Sequence, residues 1–188
     1  MEQNDRNETY RHRVDKKAII VSVSDNWRSF VEENLGADTC LPENVVGTSL
    51  WDHIRDPETR HLYEIIIQKV SENQRLASFS FRCDSSEMRR FLELKAVPKA
   101  DGLVEFQSSI LKTEMREPVE LLRSDIERSD ELIKICSMCK KIAVSETQWE
   151  EIEVAMQRLR LFELEMLPQF SHGVCLNCYN TAMAELGA

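Results

Sequence analysis

Two Cys-x-x-Cys pairs, Cys136-Ser137-Met138-Cys139 and Cys175-Leu176-Asn177-Cys178, constrain this chain more than any other feature. Two residues between cysteines let one tight turn present both thiolates to a single ion. Two such turns complete a tetrahedral shell with metal–sulfur distances of about 2.3 Å. The pairs are separated by 35 residues (140–174), more than the roughly 15 to 20 of a compact ribbon. An inserted helix accounts for the excess: Ser145-Glu146-Thr147-Gln148 has a capping-box pattern, and Trp149, Ile152, Met156, Leu159 and Phe162 form a stripe that ends before Pro168. With Cys136, Cys139, Cys175 and Cys178 as ligands, no position is open to activate water, so the expected duty of the ion, zinc, is structural. His172, three residues before Cys175, is the candidate for an alternate ligand or for a group that hydrogen-bonds a ligand from behind. Lys140 and Lys141 suit the formal charge of a four-thiolate site, which favours nearby cations. The same four cysteines admit a second reading, a thiol redox switch with oxidation-labile zinc.

Length and charge narrow the classes. At 188 residues and 21.9 kDa the chain suits one domain plus a small module. A net charge of -9 provides no global positive field for nucleic acid or an anionic membrane, and neither partner is expected. The start, MEQNDRNETYRHRVDKK, lacks the apolar run of an export signal, and Ala18–Val23 is too short to span a bilayer. A cytoplasmic location is therefore expected, where paired cysteines bind metal or do redox chemistry rather than form lasting disulfides.

Residues 1–16 mix acidic and basic side chains with little to bury, and are expected to be a disordered tail. Ala18–Val23 reads as a strand, and Asn26–Leu35 as a helix with Trp27, Phe30 and Val31 on one face and Gly36 as its stop. Asp56-Pro57-Glu58 opens a longer helix carrying Leu62, Ile65, Ile66 and Val70. Three strand-like runs follow, Leu76–Cys83, Arg90–Val97 and Leu103–Leu111, the last two joined by a turn ending in Asp101-Gly102. The fold class is α+β: an antiparallel sheet with flanking helices.

In this order of elements, and in Val46-Gly47-Thr48-Ser49-Leu50-Trp51-Asp52-His53-Ile54, the chain resembles a PAS domain over about residues 17–115. The resemblance implies a sensor or interaction module, domain 17–118, whose helices and sheet enclose a small-molecule pocket or meet a protein. Residues 119–133, with Val119, Leu122, Ile126 and Ile133 at helical spacing, are expected to form a helical connector suited to a dimer. Residues 134–188 form the cysteine module. Ile135-Cys136-Ser137-Met138-Cys139-Lys140-Lys141-Ile142, with Phe170-Ser171-His172-Gly173-Val174-Cys175-Leu176-Asn177-Cys178, resembles a carboxy-terminal module of bacterial PAS and response-regulator signalling proteins. Leu176 stands where that module usually has proline. The module is expected to be small and zinc-ribbon-like.

Other residues fit quieter roles. Cys83 alternates with Phe79 and Phe81 as a small buried hydrophobe, and Cys40 sits in a polar loop with no basic neighbour. His61, at the start of the long helix, occupies a place where some PAS proteins bind haem, but no second signature supports haem. Arg82, Arg89 and Arg90 read as a solvated face, and Glu150, Glu151 and Glu153 as an exposed helical flank. No nucleophile–base set and no phosphate-binding loop is visible, so catalysis is not expected. The expectation is a bacterial signalling protein, a PAS-like domain coupled to a structural zinc module, with a protein partner or a second copy of itself.

Overall fold

The computed structural model describes residues 9–34 and 38–187. Its first sheet has five antiparallel strands in the order β2-β1-β5-β4-β3. They are β1 (Thr9–Val14), β2 (Ile20–Val23), β3 (Ala77–Arg82), β4 (Met88–Pro98) and β5 (Val104–Met115). Period-two alternation sets the faces: on β4, Leu92, Leu94 and Ala96 are buried while Glu93 and Lys95 lie on the other side. The β4–β5 hairpin turns through Asp101 and Gly102, both at positive φ. Gly102, at φ 73, takes a conformation that disfavours side chains, so glycine suits the turn there.

Strand β1 corrects the expectation of a tail over 1–16, of which residues 1–8 lie outside the described residues. Tyr10 and Val14 are buried on the inner face, with Arg11 and Arg13 exposed between them; only two apolar positions, separated by His12, carried that alternation in the sequence. Across β5, Arg13 Nε donates to Glu105 at 2.6 Å. Burial alone would raise the pKa of Glu105, but hydrogen bonds from Gln107, Lys99 and Arg13 hold it down at about 2.

Between β2 and β3 the described residues form four α-helices, α1 (Trp27–Asn34), α2 (Pro42–Val45), α3 (Leu50–His53) and α4 (Pro57–Asn73), and a 3-10 turn at Asp38–Cys40. The stop expected at Gly36 falls outside the described residues. Ser49 and Asp52 form a reciprocal capping box on α3. Asp56 caps α4 by accepting from Thr59 N at 2.6 Å, with Pro57 in the first turn. The α4 face of Leu62, Ile66 and Val70 packs with Phe79, Leu94, Ala96 and Phe106 of the sheet.

The second sheet has the order β8-β7-β6-β9. It comprises β6 (Arg128–Cys136), β7 (Ile142–Ala143), β8 (Trp149–Glu150) and β9 (Leu167–Gly173), with α5 (Ile152–Arg158) beside it, while α6 (Leu176–Leu186) packs against α4 and β3. The expected helical connector 119–133 is absent: one 3-10 turn, Glu120–Leu122, leads into β6. Ile133 and Ile135 are buried while Leu132 is exposed, a two-residue period rich in β-branched side chains that overrides the helical spacing. The Arg128 guanidinium fixes the entry by donating to the carbonyls of Leu121, Arg123 and Pro168.

The inserted helix is also shorter than expected. Trp149 belongs to β8, α5 has seven residues, Arg160 at φ 54 breaks the helical path, and Pro168 lies in β9. The capping-box residues Ser145 and Gln148 close the β7–β8 turn instead. Strands β6 and β9 run parallel. A parallel pair needs a crossover of a dozen residues or more, and this crossover explains the long spacing between the cysteine pairs. It also differs from the ribbon-like arrangement expected.

Two cores result. One, under β6 and β7, holds Ile133, Ile135, Ile142, Ile152, Met156 and Leu161. The other joins α4 and the first sheet to Cys136, Met138, Cys175, Ala182 and Leu186, so the division near residue 118 separates the two sheets but not their cores.

On β1, His12 stacks on Phe106 at 5.0 Å, and its Nε2 is buried with no hydrogen-bond partner. Burial, with the nearby His53 charge, lowers its pKa to about 4. Unfolded, this group protonates below about 6.5. Its burial therefore costs no protonation energy above pH 6.5, and stability falls as pH drops from about 6.5 to about 4. His12→Phe is expected to raise the urea midpoint and flatten the loss between pH 6.5 and 4; an unchanged pH slope would refute this assignment.

Candidate metal centre

The parallel register sets Cys136, the last residue of β6, opposite Gly173, the last residue of β9. Each strand thus delivers one Cys-x-x-Cys segment to the same edge of the sheet. The first segment folds back at once: Lys140 N donates to Cys136 O at 3.0 Å, and Cys136 N donates to Lys141 O at 2.8 Å. Lys140 takes φ 62 to close this turn, a conformation that disfavours side chains, and its Nζ donates to Ser137 O at 3.0 Å. The second segment is a helix start. Cys175 stands at the N-cap of α6, its carbonyl accepting from Tyr179 N, and Cys178 lies in the first turn. The positive end of a helix favours thiolate charge there.

The Sγ atoms of Cys136, Cys139, Cys175 and Cys178 all lie within 4.8 Å of one another, and those of Cys139 and Cys175 are 3.8 Å apart. Tetrahedral bonds of about 2.3 Å place ligand sulfurs about 3.8 Å apart, so this donor set fits a single thiophilic ion. Cys175 N also donates to Cys136 Sγ at 3.4 Å. The thiols of Cys139 and Cys178, with backbone N–H groups, hold the Cys136 thiol far below its ordinary range. For the complementary reason Cys139 is pushed up to about 12, and Cys178 upward as well. Thiols this close cannot all ionise alone; a bound cation removes that restriction.

The other sequence candidates lie outside this group. His172 is exposed on β9, and burial of part of its ring together with the Lys140 charge lowers its pKa. His61 is exposed on α4. Cys83 and Cys40 are half-buried, and the Cys40 carbonyl accepts from Trp27 Nε1 at 2.9 Å.

What the sequence reading missed is the seam that holds the centre against the first sheet. Arg82 N donates to Met138 O at 2.7 Å, and the Thr59 and Ser137 hydroxyls meet at 2.7 Å. Glu58 pairs with Lys134 and accepts from Val174 N at 2.9 Å. Gly173 leaves room for this clamp, since a Cβ there would lie 2.3 Å from Lys134 Cε and 2.8 Å from Glu58 Oε2.

Beside the clamp, Arg82 is not solvated but buried. It pairs with Asp84, which is almost fully enclosed, and with Glu151 at 2.7 Å. Burial alone would lower the Arg82 pKa, but the bonds to these two carboxylates raise it. Arg116 reaches both Asp84 and Glu153, and Arg89 also pairs with Glu153. Glu151 and Glu153 are therefore seam residues rather than a free flank. Arg82 and Arg89 with Glu151 and Glu153 were the available signal, whereas Arg90 donates to the Cys83 carbonyl and Glu150 pairs with Arg158.

No family model matches the chain, and no curated protein matches it. Among solved structures, a domain of an HTR-like protein from Haloarcula marismortui is 19% identical, covering 55% of this chain and 98% of that chain, with a TM-score of 0.35. No helix among the described residues is long and apolar enough to cross a membrane.

Arg82→Met would leave the Asp84 carboxylate enclosed with only Arg116 to pair it, and is expected to cost about 3–5 kcal/mol in urea denaturation. Arg158→Ala, which removes the exposed pair with Glu150, is expected to cost less than about 1 kcal/mol. Equal costs would show that the buried cluster does not secure the seam.

Proposed function

We propose that this chain is a non-enzymatic signal-transduction protein in which a PAS-like domain is fastened to its carboxy-terminal module by one structural zinc ion. The observation that carries this reading is the four-sulfur cluster at the junction of the two sheets. All-thiolate donors at tetrahedral spacing suit zinc, and four filled positions leave none for water, which favours a structural duty over a catalytic one.

The PAS-like reading draws support from the element order that suggested it, a strand, short helices and one longer helix followed by three antiparallel strands. The space between α4 and the sheet is filled by Leu62, Ile66, Phe79, Leu94 and Phe106, each 5% exposed or less. That packing favours recognition of a protein, a partner or a second copy, over enclosure of a small molecule. A cytoplasmic setting agrees with four thiols kept reduced for metal.

Metal analysis of freshly purified protein tests the reading. About one zinc per chain is expected, and its removal by a chelator should lower the thermal midpoint by more than about 10 °C, because binding energy of this kind is folding energy. Cys136→Ser should reproduce that loss, whereas Cys40→Ser should not. Absence of metal, or the visible absorbance of an iron–sulfur cluster, would overturn it.

A further inference from the structure

The four sulfurs are not equally enclosed. Cys136 and Cys175 are 0% and 4% exposed, whereas Cys139 and Cys178 are only partly buried. Both of the latter line one groove between β3 and α6, a cavity of about 650 Å³ whose walls include Phe79, Ser80, Met138 and Thr181. Strand β3 also presents backbone donors toward this side. Arg82 N–H reaches Met138 O, and Ser78 N–H reaches the Glu185 carboxylate at 3.1 Å. By the two-residue period of a strand, the Ser80 N–H between them points the same way, toward the groove, and is a donor suited to an oxygen-bearing ligand.

We propose that this groove admits peroxide to the metal centre, and that oxidation joins Cys139 to Cys178 while Cys136 and Cys175 stay reduced. The inference rests on the zinc reading above. The Cys139 thiolate attacks one peroxide oxygen; the O–O bond breaks, a sulfenic acid forms and hydroxide leaves. The Cys178 thiolate then attacks that sulfur, the S–S bond forms and a second hydroxide leaves. Two thiolates lose two electrons, the peroxide gains them, and the ion, left with two of its four ligands, dissociates. The new bond joins the turn after β6 to the start of α6, so the two segments remain tied when the metal has gone.

The test is a titration of the zinc-loaded full chain with hydrogen peroxide, following zinc release with a chromophoric chelator and mapping cysteines by differential alkylation and mass spectrometry. Zinc release should parallel the appearance of a Cys139–Cys178 disulfide, with Cys136 and Cys175 recovered as thiols. Thr181→Trp and Ser80→Trp, which narrow the groove from opposite walls at exposed positions, should each slow the reaction about tenfold with zinc content unchanged. A disulfide within either Cys-x-x-Cys pair, first oxidation at Cys136 or Cys175, or unaltered rates in both tryptophan variants would overturn the inference. A chain purified without metal would instead fail the zinc reading, and the two failures are told apart by the metal content before peroxide is added.

Discussion

Four sulfurs within 4.8 Å of one another, at the place where two sheets share a hydrophobic core, are the constraint on which the rest of the molecule depends. As free thiols they compete for protons, and one thiolate is stabilised only by drawing hydrogen bonds from its neighbours. A divalent cation resolves that competition and adds four bonds at once. The parallel pairing of β6 and β9 is what makes the cluster possible, because it brings two cysteine segments, distant in sequence, to one edge of a small sheet.

The cluster sits on a surface prepared for it. Met138 and Cys136 belong to the same core as Leu62 and Phe106, and the turn between the first two cysteines continues the hydrogen bonding of β3 through Arg82 N–H and Met138 O. Glu58, in the first turn of α4, binds both Lys134 of β6 and the backbone before Cys175. A displacement of either cysteine segment is therefore felt at the start of α4 and at the end of β3. Arg89 of β4 and Arg116 after β5 add further links across the seam through Glu153.

Much of the first sheet was legible from residue patterns. Asp56-Pro57 marked α4, Asp101-Gly102 marked the hairpin, and alternation marked β3 to β5, because each is a local signal. Strand β1 was not, since Arg13 finds its counter-charge, Glu105, only across the sheet, 92 residues on. Strand β6 was misread for a related reason: Ile133 and Ile135 fit both a helix stripe and a strand, and the choice is made by pairing with β9, more than thirty residues away. The four cysteines were legible because spacing within a turn is local chemistry. The burial of Arg82 and its pairing with Glu151 were not, because Asp84 is a local partner but Glu151, 69 residues on, is brought to Arg82 only by the fold.

In the proposed reading, metal at the four cysteines holds the module against the first sheet. Amide hydrogen exchange at single-residue resolution, compared between zinc-loaded and metal-stripped protein, tests it most directly. The N–H groups of Arg82 and Val174, which bond Met138 O and the Glu58 carboxylate across the seam, are expected to lose protection when the metal is removed, while Leu94 and Phe106 in the first sheet keep theirs. Unchanged protection at Arg82 and Val174 after the metal is gone would contradict it.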